Sequence, residues 1–379
     1  MKRQLSCSFL LIILLAAEQT QATDIIVDGS TCTLAEAITS ANNDDASGNG
    51  CPDGFENDTI ILETHVSLTA SLAEITSTIT VEGLGHTIDG NDDRTVGSVL
   101  RISSTGDLTL NEITITGGSG EGFDISKKVY LGGGGIYNTG ALTLNRSTVS
   151  NNSAIYYGGG IYNGNGGILI LNNTTISGNS APDGGGIFNT QGSVILRNST
   201  ISANGFDSGA VLMGSPEPAG GGILTIDGTV ILKNSIVSGN KAKNDNGNEL
   251  CNYYSNSTIT ADSYNIFAHS GETDNEAFCN FSPSNKDINA TSDSTVPTTL
   301  EVILSPLADN GGTTLTHALV KGSPSVDLDL SCITGLETDQ RGVPRPVGNG
   351  CDAGAFEFGS NLADDKNNGF LSPVYLLLL

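Results

Sequence analysis

The sequence predicts an all-β fold, a right-handed parallel β-helix closed by N- and C-terminal caps, and three recurring features carry this prediction. A Gly-Gly-Gly-Ile tetrad occurs four times, ending at Ile136, Ile161, Ile187 and Ile223. A short apolar-x-apolar triplet follows each tetrad, and an Asn closes each unit. Self-similarity at the spacing of these tetrads is typical of stacked repeats, and no unit contains an apolar run long enough for a helix.

The apolar triplets predict strands, because apolar and polar residues alternate around them. The triplets are Leu142-Thr143-Leu144, Leu169-Ile170-Leu171, Val194-Ile195-Leu196 and Val230-Ile231-Leu232. A further apolar position follows each of them, at Val149, Ile176, Ile201 and Val237. Coils of three short strands stack about 4.8 Å apart and pair in parallel, so their inward side chains form ladders. The Gly triplets permit close backbone approach at one corner.

The recurring Asn residues predict a structural ladder inside one turn. They are Asn152, Asn179, Asn204 and Asn240. Each amide is expected to bond to the next coil and to backbone groups of the turn that would otherwise be unpaired. Tyr137, Tyr162 and Phe188 follow the corner Ile and are expected to stack as an aromatic column.

A leucine-rich repeat is the main alternative at this period. That pattern needs a further Leu three residues before the apolar pair and a return segment with regularly spaced Leu. Thr139 and Gly166 stand where that Leu should be in two successive units. The pattern therefore favours the β-helix.

Fainter repeats extend the array in both directions, so one β-helix is predicted over 76–295. Residues 23–75 are expected to cap its N-terminus, and 296–358 to close it with further coils or a small cap. Such caps are needed because a bare solenoid end exposes apolar ladders and strand edges.

Two longer segments, 119–131 and 206–219, interrupt the repeat. Insertions in a solenoid emerge on one face, where a functional loop and a tolerated surface loop are the alternatives.

The two ends of the chain differ in composition from the repeats between them. Residues 1–22 have a basic start, an apolar core over 9–17 and a small-x-small cleavage site, which is the pattern of a secretory signal peptide. Residues 359–379 form a polar linker and an apolar tail that is too short to span a bilayer. Anchoring to a membrane or cell wall through this tail and a merely apolar end are both open.

Removing the signal leaves six cysteines in an exported chain, which predicts disulfides. They fall into three groups that are local in sequence. Local pairing gives Cys32–Cys51, Cys251–Cys279 and Cys332–Cys351, although other connectivities stay formally open. No Cys-x-x-Cys motif or Cys/His cluster indicates zinc.

The chain has 41 acidic and 16 basic residues, a formal net charge of −25 and no Trp. This balance disfavours nucleic acid and anionic membranes as partners, and no basic stripe with interleaved aromatic residues is present. It also argues, less strongly, against polyanionic sugars. Solubility of a Gly- and Asn-rich solenoid is a sufficient reason for the charge, and calcium-containing surroundings are a second one.

The N-terminal sequence resembles the CSLREA module of bacterial exported β-helix proteins. The matching residues are Cys32 to Ile38 with Ala41-Asn42, and Ala35 stands where the family has Arg. The segment from His86 to Asn91 is similar to the first full coil of the same proteins. This resemblance implies an exported protein capped at its N-terminus.

The C-terminal sequence resembles the choice-of-anchor Q domain. The motifs are Ser305 to Gly312, Gly322-Ser323-Pro324, Asp339 to Gly342 with Arg345-Pro346, and Cys351 to Glu357. The Gly-Gly-x-Ile repeats are also similar to those of polymorphic outer-membrane proteins, with Val149, Ile176, Ile201 and Val237 in place of the family's Phe. The resemblances imply a secreted or surface-attached bacterial protein, associated with the outer membrane, and bring no enzymatic activity with them.

Candidate chemistry is sparse. Paired carboxylates for glycoside hydrolysis do not recur on neighbouring strands, and the few basic residues join no acidic cluster of the kind a calcium-dependent lyase needs. Asp89, Asp92 and Asp93 are the best calcium candidates, with an acidic turn as the simpler alternative. Arg341 and Arg345 are expected to brace the closing segment, with Arg341 paired to Asp339 or Asp352.

Taken together, these features predict a monomeric, non-enzymatic secreted or cell-surface protein of adhesive character, with carbohydrate or another cell-surface molecule as its partner. The catalytic residues of any activity stay unidentified, and no cofactor is required apart from calcium as a candidate. The alternative is an exported polysaccharide lyase or another glycan-active enzyme, because such enzymes share this fold.

Overall fold

Three long parallel sheets form the protein and confirm the predicted β-helix. The structure is a computed structural model that describes residues 24–45, 50–120, 123–124, 129–130, 132–206, 219–243, 245–253, 256–261 and 263–359. The signal peptide, most of the two inserted segments and the C-terminal tail lie outside these residues. Parallel crossover connections are right-handed in nearly all proteins, which gives the helix its hand.

Each complete coil contributes one strand to each sheet, and the two coils at the N-terminus have no strand in sheet 2. Sheet 1 contains Asp24–Val27, Asp58–Leu62, Thr78–Glu82, Asp107–Asn111, Ala141–Asn145, Ile168–Asn172, Ser193–Arg197, Thr229–Lys233 and Thr258–Ala261. Sheet 2 contains Leu100–Ile102, Ile136–Asn138, Ile161–Gly164, Ile187–Thr190, Ile223–Ile226, Leu250–Asn252 and Phe278–Cys279. Sheet 3 contains Val66–Ser67, Thr87–Asp89, Thr114–Thr116, Thr148–Ser150, Thr175–Ser177, Thr200–Ser202, Ile236–Val237, Ile266–Phe267 and Ile288–Asn289.

The remaining elements are short. Ser119–Gly120 pairs in parallel with Ser153–Ala154, while Phe123–Asp124 pairs antiparallel with Val129–Tyr130. Leu304–Ala308 and Thr316–Leu319 form an antiparallel pair near the C-terminus. The helices among the described residues are Leu34–Asn43, Asp274–Ala277 and Leu300–Ile303, and none of them has the length and hydropathy needed to cross a membrane.

The register of the strands follows the sequence repeat. In sheet 1, Leu142 lies opposite Leu169, which lies opposite Val194, and all three are fully or almost fully buried. In sheet 3, Val149 lies opposite Ile176 in the same way. Because every coil places these side chains inside, the apolar ladders form one continuous core, and burial of this core is the main force that holds the coils together.

The last Gly of each triplet leaves room for the Asn of the same coil. A Cβ at Gly160 would lie 3.0 Å from the side-chain amide of Asn179, and a Cβ at Gly222 would lie 2.9 Å from that of Asn240. The first Gly is needed for a different reason, because Gly158 has φ +64 and its Cβ would lie 2.5 Å from the carbonyl oxygen of Ile161. The triplet is thus required by both backbone conformation and packing.

The N-terminal end of the core is covered by Leu34–Asn43. Thr33 and Glu36 form a capping box at its first turn, and Leu34, Ala37 and Ile38 are buried against the first coils. The disulfide Cys32–Cys51 closes this module. At the other end Phe267, Phe278 and Phe281 pack edge to face, and the disulfide Cys251–Cys279 joins neighbouring strands of sheet 2.

The segment 296–358, which contains the disulfide Cys332–Cys351, lies along the outside of sheet 3 instead of adding coils to the stack. Thr148 Oγ1 donates to the carbonyl of Leu315 at 2.7 Å, and Thr200 Oγ1 accepts from the backbone N–H of Ala355 at 3.0 Å. Ser177 Oγ lies 2.9 Å from Nε2 of His317. The outward-pointing Thr and Ser hydroxyls of sheet 3 form these hydrogen bonds with the segment. Because the hydroxyls are satisfied in this way, the polar outer face of the sheet can be buried here.

Candidate functional site

The Asn ladder lies inside the turn that joins sheet 3 to sheet 2. The Nδ2 of Asn152, Asn179 and Asn204 each donates to Oδ1 of the next Asn along the stack, at 2.9 Å in every case. The same amides bind backbone groups, for example Nδ2 of Asn179 to the carbonyl of Val149 at 2.9 Å. In the preceding coil, the backbone N–H of Gly118 donates to Oδ1 of Asn152 at 2.9 Å. The ladder therefore satisfies groups that the turn would leave unpaired.

A buried acid ends the ladder. The Nδ2 of Asn240 donates to Oε2 of Glu249 at 2.6 Å, and the backbone N–H of Gly239 donates to Oε1 of Glu249 at 2.7 Å. The sequence explains why Asn240 meets a Glu instead of another Asn. Glu249 stands where the earlier coils have the last Gly of the triplet, and Ser270 stands three residues after Phe267, where an Asn would continue the ladder.

Glu249 belongs to a group of three titratable residues. One ligand atom from each of Glu249, His269 and Glu272 lies within 4.8 Å of the others. Burial, and the neighbouring Glu272, hold the pKa of Glu249 well above its usual range. This group was not predicted from the sequence, because its members come from two coils and form no local motif.

On the outer side of sheet 2, three aromatic rings form a row, with an Arg at one end and a further Tyr beside it. We call this group the aromatic face, and it consists of Arg101, Tyr137, Tyr162, Phe188 and Tyr157. Tyr137 and Tyr162 stack with centroids 4.9 Å apart and planes 4° apart, and Tyr162 stacks on Phe188 at 5.5 Å. The guanidinium of Arg101 covers Tyr137 at 4.6 Å, and Tyr157 packs on Phe188 at 4.6 Å. The aromatic column expected from the sequence is therefore present.

The aromatic face is partly covered, because Phe188 is buried and its three tyrosines are half-buried. Because the rings of the column cover one another, few ring faces are free for stacking with a ligand. Tyr137 and Tyr162 are half-buried, with strand register placing them in successive coils about 4.8 Å apart. Burial, together with its tyrosine neighbours, raises the pKa of Tyr162, so its hydroxyl stays protonated and available for hydrogen bonding.

Asp183 lies at the edge of the aromatic face. It is bridged to Tyr157 of the neighbouring coil and buried, and its Oδ1 accepts from the N–H of Ala219 at 3.1 Å. Burial raises the pKa of this carboxyl to about 6. A perturbed carboxyl beside half-buried aromatic rings marks a candidate site. Sequence reasoning missed Asp183, since a single acid before a Gly triplet has no pattern of its own.

The predicted calcium candidates do not converge. Oδ1 of Asp89 accepts from the N–H of Asn91 at 2.7 Å, and Oδ1 of Asp93 accepts from the N–H of Thr95 at 2.8 Å. Asp89 and Asp93 thus bind their own turn, and Asp89, Asp92 and Asp93 do not form a cluster of three among the residues that the structure describes. The observed geometry is that of an acidic turn.

The C-terminal motifs are structural. Arg341 donates through Nη2 to Asp339 at 2.7 Å and lies 3.5 Å from the ring of Phe356. Arg345 donates to Glu357 at 2.7 Å, and both side chains of this pair are fully buried. These charge-assisted bonds hold the segment in a fixed shape against sheet 3. The expected bracing role of the two arginines agrees with this geometry, with Asp339 as the partner of Arg341.

Comparisons with known proteins add little beyond the fold. No family model and no curated protein matches the chain, so the resemblances to the CSLREA and choice-of-anchor Q modules have no matching family model behind them. The pectate lyase Pel9A is a structural match with a TM-score of 0.38 and 16% identity, over 84% of this chain and 95% of that one. A likeness at this level carries no argument about activity.

Proposed function

We propose that the protein is a non-enzymatic, exported or cell-surface β-helix protein that binds an extended, uncharged polysaccharide along its aromatic face. The observation that carries the proposal is the repetition of Tyr137 and Tyr162 in register on successive coils. These two neighbouring coils offer the same hydroxyl and ring edge about 4.8 Å apart. A polymer that lies along the helix axis meets equivalent groups on both coils, whereas a small ligand would use only one.

The charge of the protein supports an uncharged ligand. The net charge is −25, and Arg101, the cation of the aromatic face, is engaged with the Tyr137 ring. A polyanion would be repelled by the surrounding field before it reached the face. Neutral hydroxyl-rich chains need only hydrogen-bonding groups and ring edges, which this surface provides.

The alternative, an exported lyase or hydrolase, draws support from Asp183. A carboxyl with a pKa of about 6 is suited to proton transfer near neutral pH. However, a glycosidase also needs a second carboxyl at a fixed distance, and a lyase needs a base together with charge neutralisation. Among the described residues of the aromatic face, neither arrangement accompanies Asp183.

The proposal is tested by binding of the purified protein to a panel of insoluble and soluble polysaccharides. The double variant Tyr137→Phe/Tyr162→Phe keeps the stacked rings and removes only their hydroxyls. We expect it to lose about tenfold or more in affinity for the neutral glycan that the wild type binds, since each lost hydrogen bond costs about 1 kcal/mol.

Tyr264→Phe is the matched control, because Tyr264 lies in a turn between sheets 1 and 3, away from the aromatic face. It should bind like the wild type. Failure to bind any neutral glycan, or equal affinity of the double variant, would refute the proposal. Accumulation of cleaved products that stops in Asp183→Asn would replace it with the enzyme.

A further inference from the structure

We propose that Glu249, His269 and Glu272 form a binding site for a divalent transition-metal ion, Zn²⁺ in the first place, at the end of the Asn ladder. This site is independent of the aromatic face. Its three ligand atoms lie within 4.8 Å of one another, so small side-chain rotations bring them to the separation of about 3.3 Å that ligand atoms have in a tetrahedral Zn²⁺ site. Nε2 of His269 lies 3.9 Å from Oε1 of Glu272.

One ligand oxygen accepts no hydrogen bond from a neighbouring N–H or O–H group. Oε1 of Glu272 is buried and has no hydrogen-bond partner, while Oε2 of the same carboxyl accepts from Nδ2 of Asn248 at 3.0 Å. Glu272 as a whole is only 5% exposed. A buried carboxylate oxygen without a partner is costly, and this one is directed at His269. A bound cation would satisfy it.

The group also lacks a neighbour of permanent positive charge. In the described part of the chain, no Lys or Arg forms an ion pair with Glu249 or Glu272. Glu249 is 0% exposed, and the N–H groups of Gly239 and Asn240 that donate to it are uncharged. Two adjacent buried carboxyls require either a shared proton or a cation. A divalent ion supplies the charge that the surrounding residues lack.

The neighbouring amides give the site a fixed shape. Asn240 orients Glu249 and Asn248 orients Glu272, and Nδ2 is the donor in both contacts. Such outer contacts direct the ligand atoms of metal sites and tune their affinity. Since Asn240 is the last member of the ladder, the ladder itself sets the position of the first carboxylate.

One nitrogen and two carboxylate ligands favour Zn²⁺ or Mn²⁺ over Ca²⁺, which takes six or more oxygens. The N–H of Gly271 donates to Nδ1 of His269 at 2.9 Å, so the neutral ring carries its proton on Nε2. Binding through Nε2 moves that proton to Nδ1 and displaces the Gly271 N–H. Gly271 is exposed, so this small backbone shift meets little resistance.

The experiment is calorimetric titration of ZnCl₂ into the chelator-treated protein, with MnCl₂ and CaCl₂ as comparators. We expect Zn²⁺ to bind most tightly and Glu272→Gln to weaken it by about tenfold or more, because the variant keeps the shape and removes the free carboxylate. Asp227→Asn is the control, since Asp227 is an exposed acid whose positive φ Asn adopts readily, and it should bind like the wild type. Zn²⁺ should also shift the amide resonance of Gly271.

The proposal is overturned if Zn²⁺ does not bind, if Glu272→Gln binds it as the wild type does, or if Asp227→Asn loses as much. Tighter binding of Ca²⁺ than of Zn²⁺ would overturn the assignment of the nitrogen ligand. Should Glu272→Gln fail to fold, His269→Ala decides, because His269 is partly exposed and its loss leaves both carboxyls in place. Unchanged Zn²⁺ affinity in that variant would likewise end the proposal.

Discussion

Gln340 holds two coils at once: its Oε1 accepts a hydrogen bond from Oγ1 of Thr175 at 2.6 Å, while its Nε2 donates to Oγ1 of Thr148 at 2.9 Å. Thr148 and Thr175 are paired neighbours in sheet 3. A single side chain from the C-terminal segment therefore binds two successive repeats.

The Gln340 contact should make the C-terminal segment and the β-helix unfold together. Gln340→Leu leaves both Thr hydroxyls without this partner inside the protein, at an expected cost of about 1–3 kcal/mol in the free energy of unfolding. Hydrogen exchange should speed up across 300–358 more than in sheet 1. The double-mutant cycle with Thr175→Val measures the coupling directly, and a coupling energy of zero would contradict the contact.

The Asn ladder should contribute strongly to stability at each step. Asn179 is 1% exposed, and its amide binds Asn204 and the carbonyl of Val149. Asn179→Ala is expected to lower the free energy of unfolding by about 1–3 kcal/mol, because buried groups lose their partners. Asn349→Ala removes an exposed amide and should change it little. Equal melting temperatures for the two variants would contradict the ladder.

The three disulfides should be found as Cys32–Cys51, Cys251–Cys279 and Cys332–Cys351. They span 19, 28 and 19 residues of sequence. Closing a loop of this size stabilises by about 3 kcal/mol in the chain-entropy description. Non-reducing peptide mapping checks the pairing, and any bond between members of different pairs would refute it.

Asp183 should make the protein less stable as the pH rises. Its folded pKa of about 6 lies above the usual value of 3.8, so the folded state holds a proton that the unfolded state has lost between these values. The free energy of unfolding should therefore fall from about pH 4 to pH 6 and then level off. Asp183→Asn removes this dependence and should be more stable than the wild type by about 1–3 kcal/mol at pH 8.

The stability difference between Asp183→Asn and the wild type should vanish near pH 4, where the wild-type carboxyl is largely protonated in the folded state and the unfolded state is beginning to take up its proton. Denaturant titrations at several pH values measure it. Asp183→Asn keeps the Oδ1 that accepts from the N–H of Ala219, so loss of this hydrogen bond does not contribute to the stability difference. A variant that is less stable at pH 8 would show that the charged form is favoured in the fold.

The repeat was predictable because a solenoid coil interacts mainly with its neighbours. Each apolar position, such as Leu169, meets its own counterparts Leu142 and Val194 one repeat away, so the periodicity of the sequence directly gives the register. The same holds for the Asn ladder and for the stacking of Tyr137 on Tyr162. The local spacing of the cysteines likewise led to the three pairs that the structure contains.

The features that the sequence left undetermined involve residues far apart in the chain or isolated substitutions within a repeat. Gln340 and Thr148 are separated by 192 positions, so no local pattern links them, and the closing segment was expected to add coils or a cap. Glu249 replaces a Gly, and its neighbours Glu272 and His269 follow a coil later. A single substitution in a repeat shows that one coil differs from the others, but it does not show which residues the new side chain contacts.

The sequence by itself therefore determined the β-helix and its internal ladders, because burial and hydrogen bonding repeat with the coil, and the local grouping of its cysteines predicted their pairing. Only the tertiary structure decided that the C-terminal segment covers sheet 3, that Asp183 is buried beside the aromatic face, and that Glu249 and Glu272 meet at the end of the Asn ladder. Those contacts depend on burial and on the path of the chain outside the repeat, which periodicity does not encode.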